Sequence, residues 1–163
     1  MSLSTASRAR LGPRLQALLE LCPAEGPVAD IGSGHGRLAL ELARRLPSGQ
    51  VFATEAKSGP ARELRRLLGA DDRVKILEGN GLSPLRHLGC RGAVLAGMGG
   101  RTLVEILEAD RDILAELSWI CLQPMQRVER LVEWIGRQGG WSVVSVTTQE
   151  RGHHYAGFLL MRQ

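Results

Sequence analysis

The alternation of short β-branched apolar runs with amphipathic segments constrains this chain more than any other feature. The runs lie at Val28–Ile31, Val51–Thr54, Val74–Leu77, Ala93–Ala96 and Trp119–Leu122, each followed by Gly, Pro or polar residues, which predicts five strands. Elsewhere the apolar spacing becomes helical. Leu38, Leu42, Ala43 and Leu46 share one face opposite Arg37, Glu41, Arg44 and Arg45, and Pro47 stops the helix. Ala61, Leu64, Leu67 and Leu68 repeat the pattern opposite Arg62, Glu63, Arg65 and Arg66, up to Gly69. Further helices are predicted around Leu103, Val104, Ile106 and Leu107, and around Val128, Leu131, Val132 and Ile135 up to Gly139 and Gly140. One more is expected before the first strand, from Leu11 to Leu21. Strands joined through helices must be parallel, because each connection crosses over a face of the sheet. The expected architecture is therefore α/β, a doubly wound sheet covered on both faces. After the last helix the rhythm changes. Trp141–Val146 and Ala156–Met161 are joined only by a polar loop and should pair antiparallel, which makes a seven-stranded sheet with an antiparallel C-terminal hairpin.

No repeat, low-complexity tract or long linker breaks this pattern, so residues 1–163 read as one domain, with 1–26 a helical N-terminal segment packed on it. No apolar run approaches the ~20 residues that span a bilayer, and Met1–Thr5 lacks a signal-peptide hydrophobic stretch, so a soluble, cytoplasmic protein without a membrane partner is expected. A formal charge of +4 permits a polyanionic partner without demanding one. Six aromatic residues are too few for a base-stacking platform, so any nucleic-acid reading needs another warrant. The three cysteines, Cys22, Cys90 and Cys121, are too widely spaced for a metal knuckle, and the four histidines form no zinc pattern. No metal is predicted.

The first strand runs straight into Asp30-Ile31-Gly32-Ser33-Gly34-His35-Gly36 and then into a helix. Open α/β sheets bind ligands at the carboxyl ends of their strands, and glycine there lets a ligand approach the backbone. A dinucleotide fingerprint would need glycine where this chain has Arg37, so a nicotinamide enzyme is a weaker reading. The second strand ends at Glu55-Ala56, where a carboxylate can take ribose hydroxyls or simply face solvent. After the third strand, Asn80-Gly81 either borders an adenine ring or is a bare turn. After the fourth, Gly97-Met98-Gly99-Gly100 offers a small surface for a planar acceptor, or a tight turn with Met98 plugging the core.

The D-x-G-x-G-x-G spacing resembles the first motif of class I S-adenosylmethionine-dependent methyltransferases. More narrowly, the chain resembles the bacterial tRNA (adenine-N1)-methyltransferase family known as TrmK. That resemblance rests on Val28–Ser33, His35-Gly36, Glu55 with Gly59-Pro60, Gly79–Leu82, Ala96–Gly100 and Leu122-Gln123-Pro124, together with Arg14–Gln16 upstream and Glu150, Gly152 and Tyr155 in the last hairpin. It implies a Rossmann-like class I methyltransferase fold and S-adenosylmethionine as cofactor, with S-adenosylhomocysteine as product. It also implies methylation of adenine N1 in the D-loop region of tRNA. The implied cofactor residues are Asp30, Gly32, Ser33, Gly34, His35, Gly36, Glu55, Ala56, Asn80, Gly81, Gly97 and Met98. Arg14, His35, Gly99, Arg101 and Gln123 are the acceptor-side candidates.

Three departures from the family stand out. Gly34 replaces its usual aspartate, Met125 replaces the asparagine of its Gln-Pro-Asn motif, and its C-terminal helical domain is expected to be absent. Methyl transfer is an in-line displacement at an activated carbon, so orientation and a dry site matter more than acid–base chemistry. Adenine N1 already carries an unprotonated lone pair, and no catalytic base is assigned. His35 is as well placed to cap the adjoining helix as to touch a ligand, and His153 and His154 are expected in an exposed turn. Lys57, Arg62, Arg65 and Arg66 suit either phosphate contact or a solvated helix face, while Arg14 and Arg101 lie beside motif segments and are the better phosphate candidates. Two alternatives stay open: a methyltransferase for another RNA or a small molecule, and a non-catalytic cofactor-binding module.

Overall fold

The computed structural model describes residues 10–47 and 49–163. Seven strands form one sheet in the order β3-β2-β1-β4-β5-β7-β6. They are β1 (Val28–Ile31), β2 (Val51–Glu55), β3 (Val74–Glu78), β4 (Gly92–Met98), β5 (Trp119–Pro124), β6 (Trp141–Glu150) and β7 (His153–Arg162). The helices are α1 (Pro13–Leu21), α2 (Arg37–Arg45), α3 (Ser58–Leu68), α4 (Gly100–Ala109), α5 (Arg111–Glu116) and α6 (Val128–Gly136). The predicted N-terminal helical segment is thus α1, and the part of it at residues 1–9 lies outside the described residues.

The first five strands are parallel, with Val28 opposite both Val51 and Gly92, so all of them end on one edge of the sheet. The chain winds outward from β1 through β2 to β3 and returns to lay β4 on the other side of β1. This reversal opens a crevice between the ends of β1 and β4, the place where such sheets take ligands. Strand β7 runs antiparallel to both β5 and β6.

Side-chain alternation feeds two apolar layers. Val28, Val51, Ala53, Val74, Val94, Trp119 and Cys121 pack under α1, α2 and α3 through Leu18, Leu42 and Leu64. Ala29, Ile31, Phe52, Leu95, Ile120 and Leu122 pack on the other face under α4, α5 and α6 through Leu103, Leu107, Ile113, Leu131 and Trp134. Burial on both faces is why these strands are continuous apolar runs and not alternating ones.

The hairpin differs from expectation. Its strands extend to Glu150 and from His153, leaving a turn of Arg151 and Gly152, both in the left-handed region at φ 49° and 78°. That two-residue geometry matches the twist of an antiparallel pair and needs no long loop. His153 and His154 therefore begin β7, exposed, instead of sitting in the turn. The short helix α5 was not expected, because six residues are too few to display a period.

Candidate active site

The loop from β1 into α2 is built on three left-handed glycines, Gly32, Gly34 and Gly36, at φ 67°, 61° and 74°. Gly36 has a steric reason as well. A Cβ there would overlap Leu68 Cδ1 and come within 2.9 Å of Leu64 Cδ1, so its absence lets α3 close on the start of α2. Gly32 admits the Met98 methyl, which a Cβ would meet at 2.7 Å. Gly34 is different: it is exposed, and a Cβ built on it would meet nothing within 4 Å, so the space above it is open to a ligand.

Asp30 lies beneath this loop, 3% exposed, and accepts a 2.6 Å hydrogen bond from the Ser33 hydroxyl. Burial pushes its carboxyl up to about 7; the Ser33 bond opposes this, the charge of Glu55 adds to it, and the Ala39 N–H opposes it. The backbone N–H groups of Ser33 and Gly32 are held from β2, by the Thr54 carbonyl at 2.9 Å and its hydroxyl at 3.4 Å.

Glu55, half-buried at the end of β2, accepts the Gly34 N–H through Oε1 at 2.6 Å. Its carboxylate is thereby fixed beside the open space above Gly34, with Ala56 exposed next to it. Asn80 and Gly81 follow β3, and Asn80 is exposed while its carbonyl accepts the Ser83 hydroxyl at 2.7 Å. The turn is anchored from below by Asp110, which accepts the Leu82 N–H at 2.9 Å. Gly81 leaves room for that carboxylate, since a Cβ would meet Asp110 Oδ2 at 2.8 Å.

On the other side of the crevice the β4–β5 register shifts between Ala96 and Met98. Gly97 bulges out of the ladder at φ 77°, exposed, and its N–H donates to the side-chain Oε1 of Gln123 at 3.2 Å. Gln123 is 1% exposed, with Nε2 donating to the Pro124 carbonyl at 2.7 Å. Its Oε1 also accepts Arg14 Nη1 from α1. Arg14 in turn faces Glu150 at the end of β6, with Nε 3.6 Å from Oε2, and its guanidinium stands 5.9 Å from the centre of the Tyr155 ring.

The remaining candidates are dispersed. Gly99 precedes α4 against the Gln126 side chain, and the Met125 N–H ties back to the Met98 carbonyl at 2.8 Å. His35 is exposed on the glycine loop. Arg101 points along α4 to Glu105 at 2.9 Å and lines a groove of about 380 Å³ with Arg130, Trp134 and Arg137, away from the crevice. Arg65 and Arg66 engage Glu78 and Glu63. Thr54 and Asp110, which shape the two cofactor-side turns, were not anticipated, because neither belongs to a local pattern. Among the described residues no group of three or more His, Cys, Asp or Glu could hold a metal ion, and no helix is long and apolar enough to cross a membrane.

Comparison with known proteins agrees with this geometry. The tRNA (adenine(22)-N(1))-methyltransferase of Bacillus subtilis (strain 168) is 28% identical over 149 residues, 90% of this chain and 63% of that one. The chain therefore spans less than two thirds of that relative's length. The crystal structure of the B. subtilis M1A22 tRNA methyltransferase TrmK superposes with a TM-score of 0.83 at 26% identity, covering 94% of this chain and 67% of that one. Streptococcus pneumoniae Sp1610, solved in complex with S-adenosyl-L-methionine, gives 0.83 at 25% identity over 91% of this chain and 72% of its own. Residues 11–157 match the methyltransferase-domain family, and with its sheet order and glycine-built crevice the chain belongs to that family.

Proposed function

We propose that this chain is a tRNA (adenine-N1)-methyltransferase that uses S-adenosyl-L-methionine. The observation that carries the reading is the open left-handed Gly34 with the Glu55 carboxylate bonded to its N–H, at the mouth of the crevice between β1 and β4. The similar S. pneumoniae protein holds S-adenosyl-L-methionine, and the similar B. subtilis protein methylates adenine 22 of tRNA.

The residues present fit that cofactor. The exposed backbone at Gly32 and Gly34 would receive the methionine end, Glu55 would keep Oε2 free to accept from ribose hydroxyls, and Asn80 would border the adenine. Asp30 acts from below by holding Ser33. When bound, the cofactor supplies a methyl group activated by sulfonium charge. The chain's own part is to orient the acceptor at the Gly97 bulge and keep water out. No side chain is needed to remove a proton from adenine N1. The crevice is read as belonging to a single domain, working in the cytoplasm where tRNA is found.

Met125 favours a second reading. It is 41% exposed where the family carries a polar side chain, an apolar surface that suits a small-molecule or different RNA acceptor. The deciding experiment offers unmodified bacterial tRNA, other RNA and a metabolite extract with labelled cofactor, and identifies the product nucleoside by mass spectrometry. Formation of 1-methyladenosine in tRNA is expected. Cofactor binding with label only in another acceptor would transfer the reading to the second class, and binding with no transfer to a non-catalytic module.

A further inference from the structure

The acceptor side of the crevice is shaped by a side-chain relay from outside the sheet's ladder. Gly97 sits where the β4–β5 register slips, and its N–H donates to the Gln123 side chain at Oε1. A buried amide can turn over and present its NH2 group instead. Here the Pro124 carbonyl takes Nε2, and Arg14 Nη1 donates to Oε1. A flipped amide would confront two donors with a third.

Arg14 is itself committed. Its backbone N–H donates to Glu150 Oε1 at 3.3 Å, its Nε lies 3.6 Å from Glu150 Oε2, and its guanidinium lies over Tyr155. The side chain is only 16% exposed, and Nε is buried without a hydrogen-bond partner among the described residues. A cation so enclosed is poorly disposed to grip an RNA phosphate, which was one expectation for it. Its positive charge is offset by Glu150, which matters beside an acceptor that becomes cationic on methylation.

We infer that Arg14 is a positioning residue: it fixes the Gln123 amide, and through it the Gly97 bulge, in the shape that receives the acceptor. The inference rests on the reading of this edge as the acceptor side of a methyltransferase. It gives α1 a catalytic consequence even though no atom of α1 need touch the reacting groups.

The test compares the full chain with Arg14→Ala and Arg14→Lys by three readouts: amide exchange at Gly97 against Val94 in the regular ladder, S-adenosylhomocysteine binding, and kcat and KM on unmodified tRNA. In Arg14→Ala, Gly97 exchange is expected to rise ~10-fold relative to Val94, with S-adenosylhomocysteine affinity within ~3-fold and kcat down ~10-fold or more at a similar KM. Arg14→Lys, which keeps the charge but not the fork, recovers part of both losses. Unchanged Gly97 exchange would overturn the inference. So would a rise in KM for tRNA alone with a shallower salt dependence, since that marks a direct phosphate contact. If the unaltered chain methylates no tRNA, the functional reading fails, while the exchange measurement still decides whether Arg14 holds the bulge.

Discussion

Glu150, at the far end of β6, caps α1 in trans: its Oε1 accepts the backbone N–H of Arg14 at 3.3 Å while its Oε2 faces the same residue's guanidinium at 3.6 Å. The helix needs this outside help because its own N-cap residue is Gly12, which has no side chain to offer. Gly12 also makes the space, since a Cβ there would collide with Glu150 Oε1. Glu150→Ala is therefore expected to cost about 1–2 kcal/mol, from a lost cap and a lost charged hydrogen bond. Gly12→Ala should cost a similar amount by pushing the same carboxylate away. Urea unfolding of both single variants and the double variant checks this. Costs that add fully in the double variant would mean the two residues do not act on one contact.

The three loop glycines are not equivalent. Gly36→Ala must both adopt φ 74° and displace Leu64 and Leu68, and a loss of about 3 kcal/mol or more is expected. Gly34→Ala meets open space and bears only the left-handed strain, about 1 kcal/mol. Thermal or denaturant unfolding of the two variants gives the order. Equal losses would show that packing against α3 contributes nothing at Gly36.

Much of this was legible in the sequence because it is local. The β1 run, the glycines after it and the apolar face of α2 lie within a few residues of one another, and each obeys its own period. The Glu150–Arg14–Gln123–Gly97 relay was not legible as a relay, because it joins residues 136 and 109 positions apart. Its members were visible only as motif fragments of a resemblance. Arg101 illustrates the converse: it adjoins a motif in the chain, yet the first turn of α4 carries its side chain round to Glu105. The hairpin turn was misjudged because Arg151-Gly152 lacks the asparagine or aspartate that usually signals two left-handed residues.

Glu55 is expected to govern cofactor affinity more than stability. Its carboxylate both holds the Gly34 N–H and faces the space assigned to the ribose. Glu55→Ala should weaken S-adenosylhomocysteine binding by roughly 10- to 100-fold, the loss of about 1.5–3 kcal/mol from charged hydrogen bonds. Glu55→Gln retains an acceptor and should fall between. Isothermal titration calorimetry measures both, and an alanine variant that binds as tightly as the unaltered chain would remove Glu55 from the cofactor site.

Asp30 makes the stability of the ligand-free protein depend on pH in an unusual direction. Its carboxyl titrates at about 7 when folded against an ordinary value of 3.8, because burial disfavours the charged form. The folded state therefore binds this proton more tightly than the unfolded chain. Below ~4 the group is neutral in both states, and stability falls as pH rises from there towards ~7, above which the full penalty is present. That penalty is on the order of 4 kcal/mol. Asp30→Asn keeps an acceptor for the Ser33 hydroxyl without the charge. Its unfolding free energy relative to the unaltered protein should grow more favourable across that window and level off above it, as followed by urea unfolding at a series of pH values. A difference that stays flat with pH would show that Asp30 remains ionised throughout, its charge stabilised by Ser33 and the α2 N-terminus more strongly than burial opposes it.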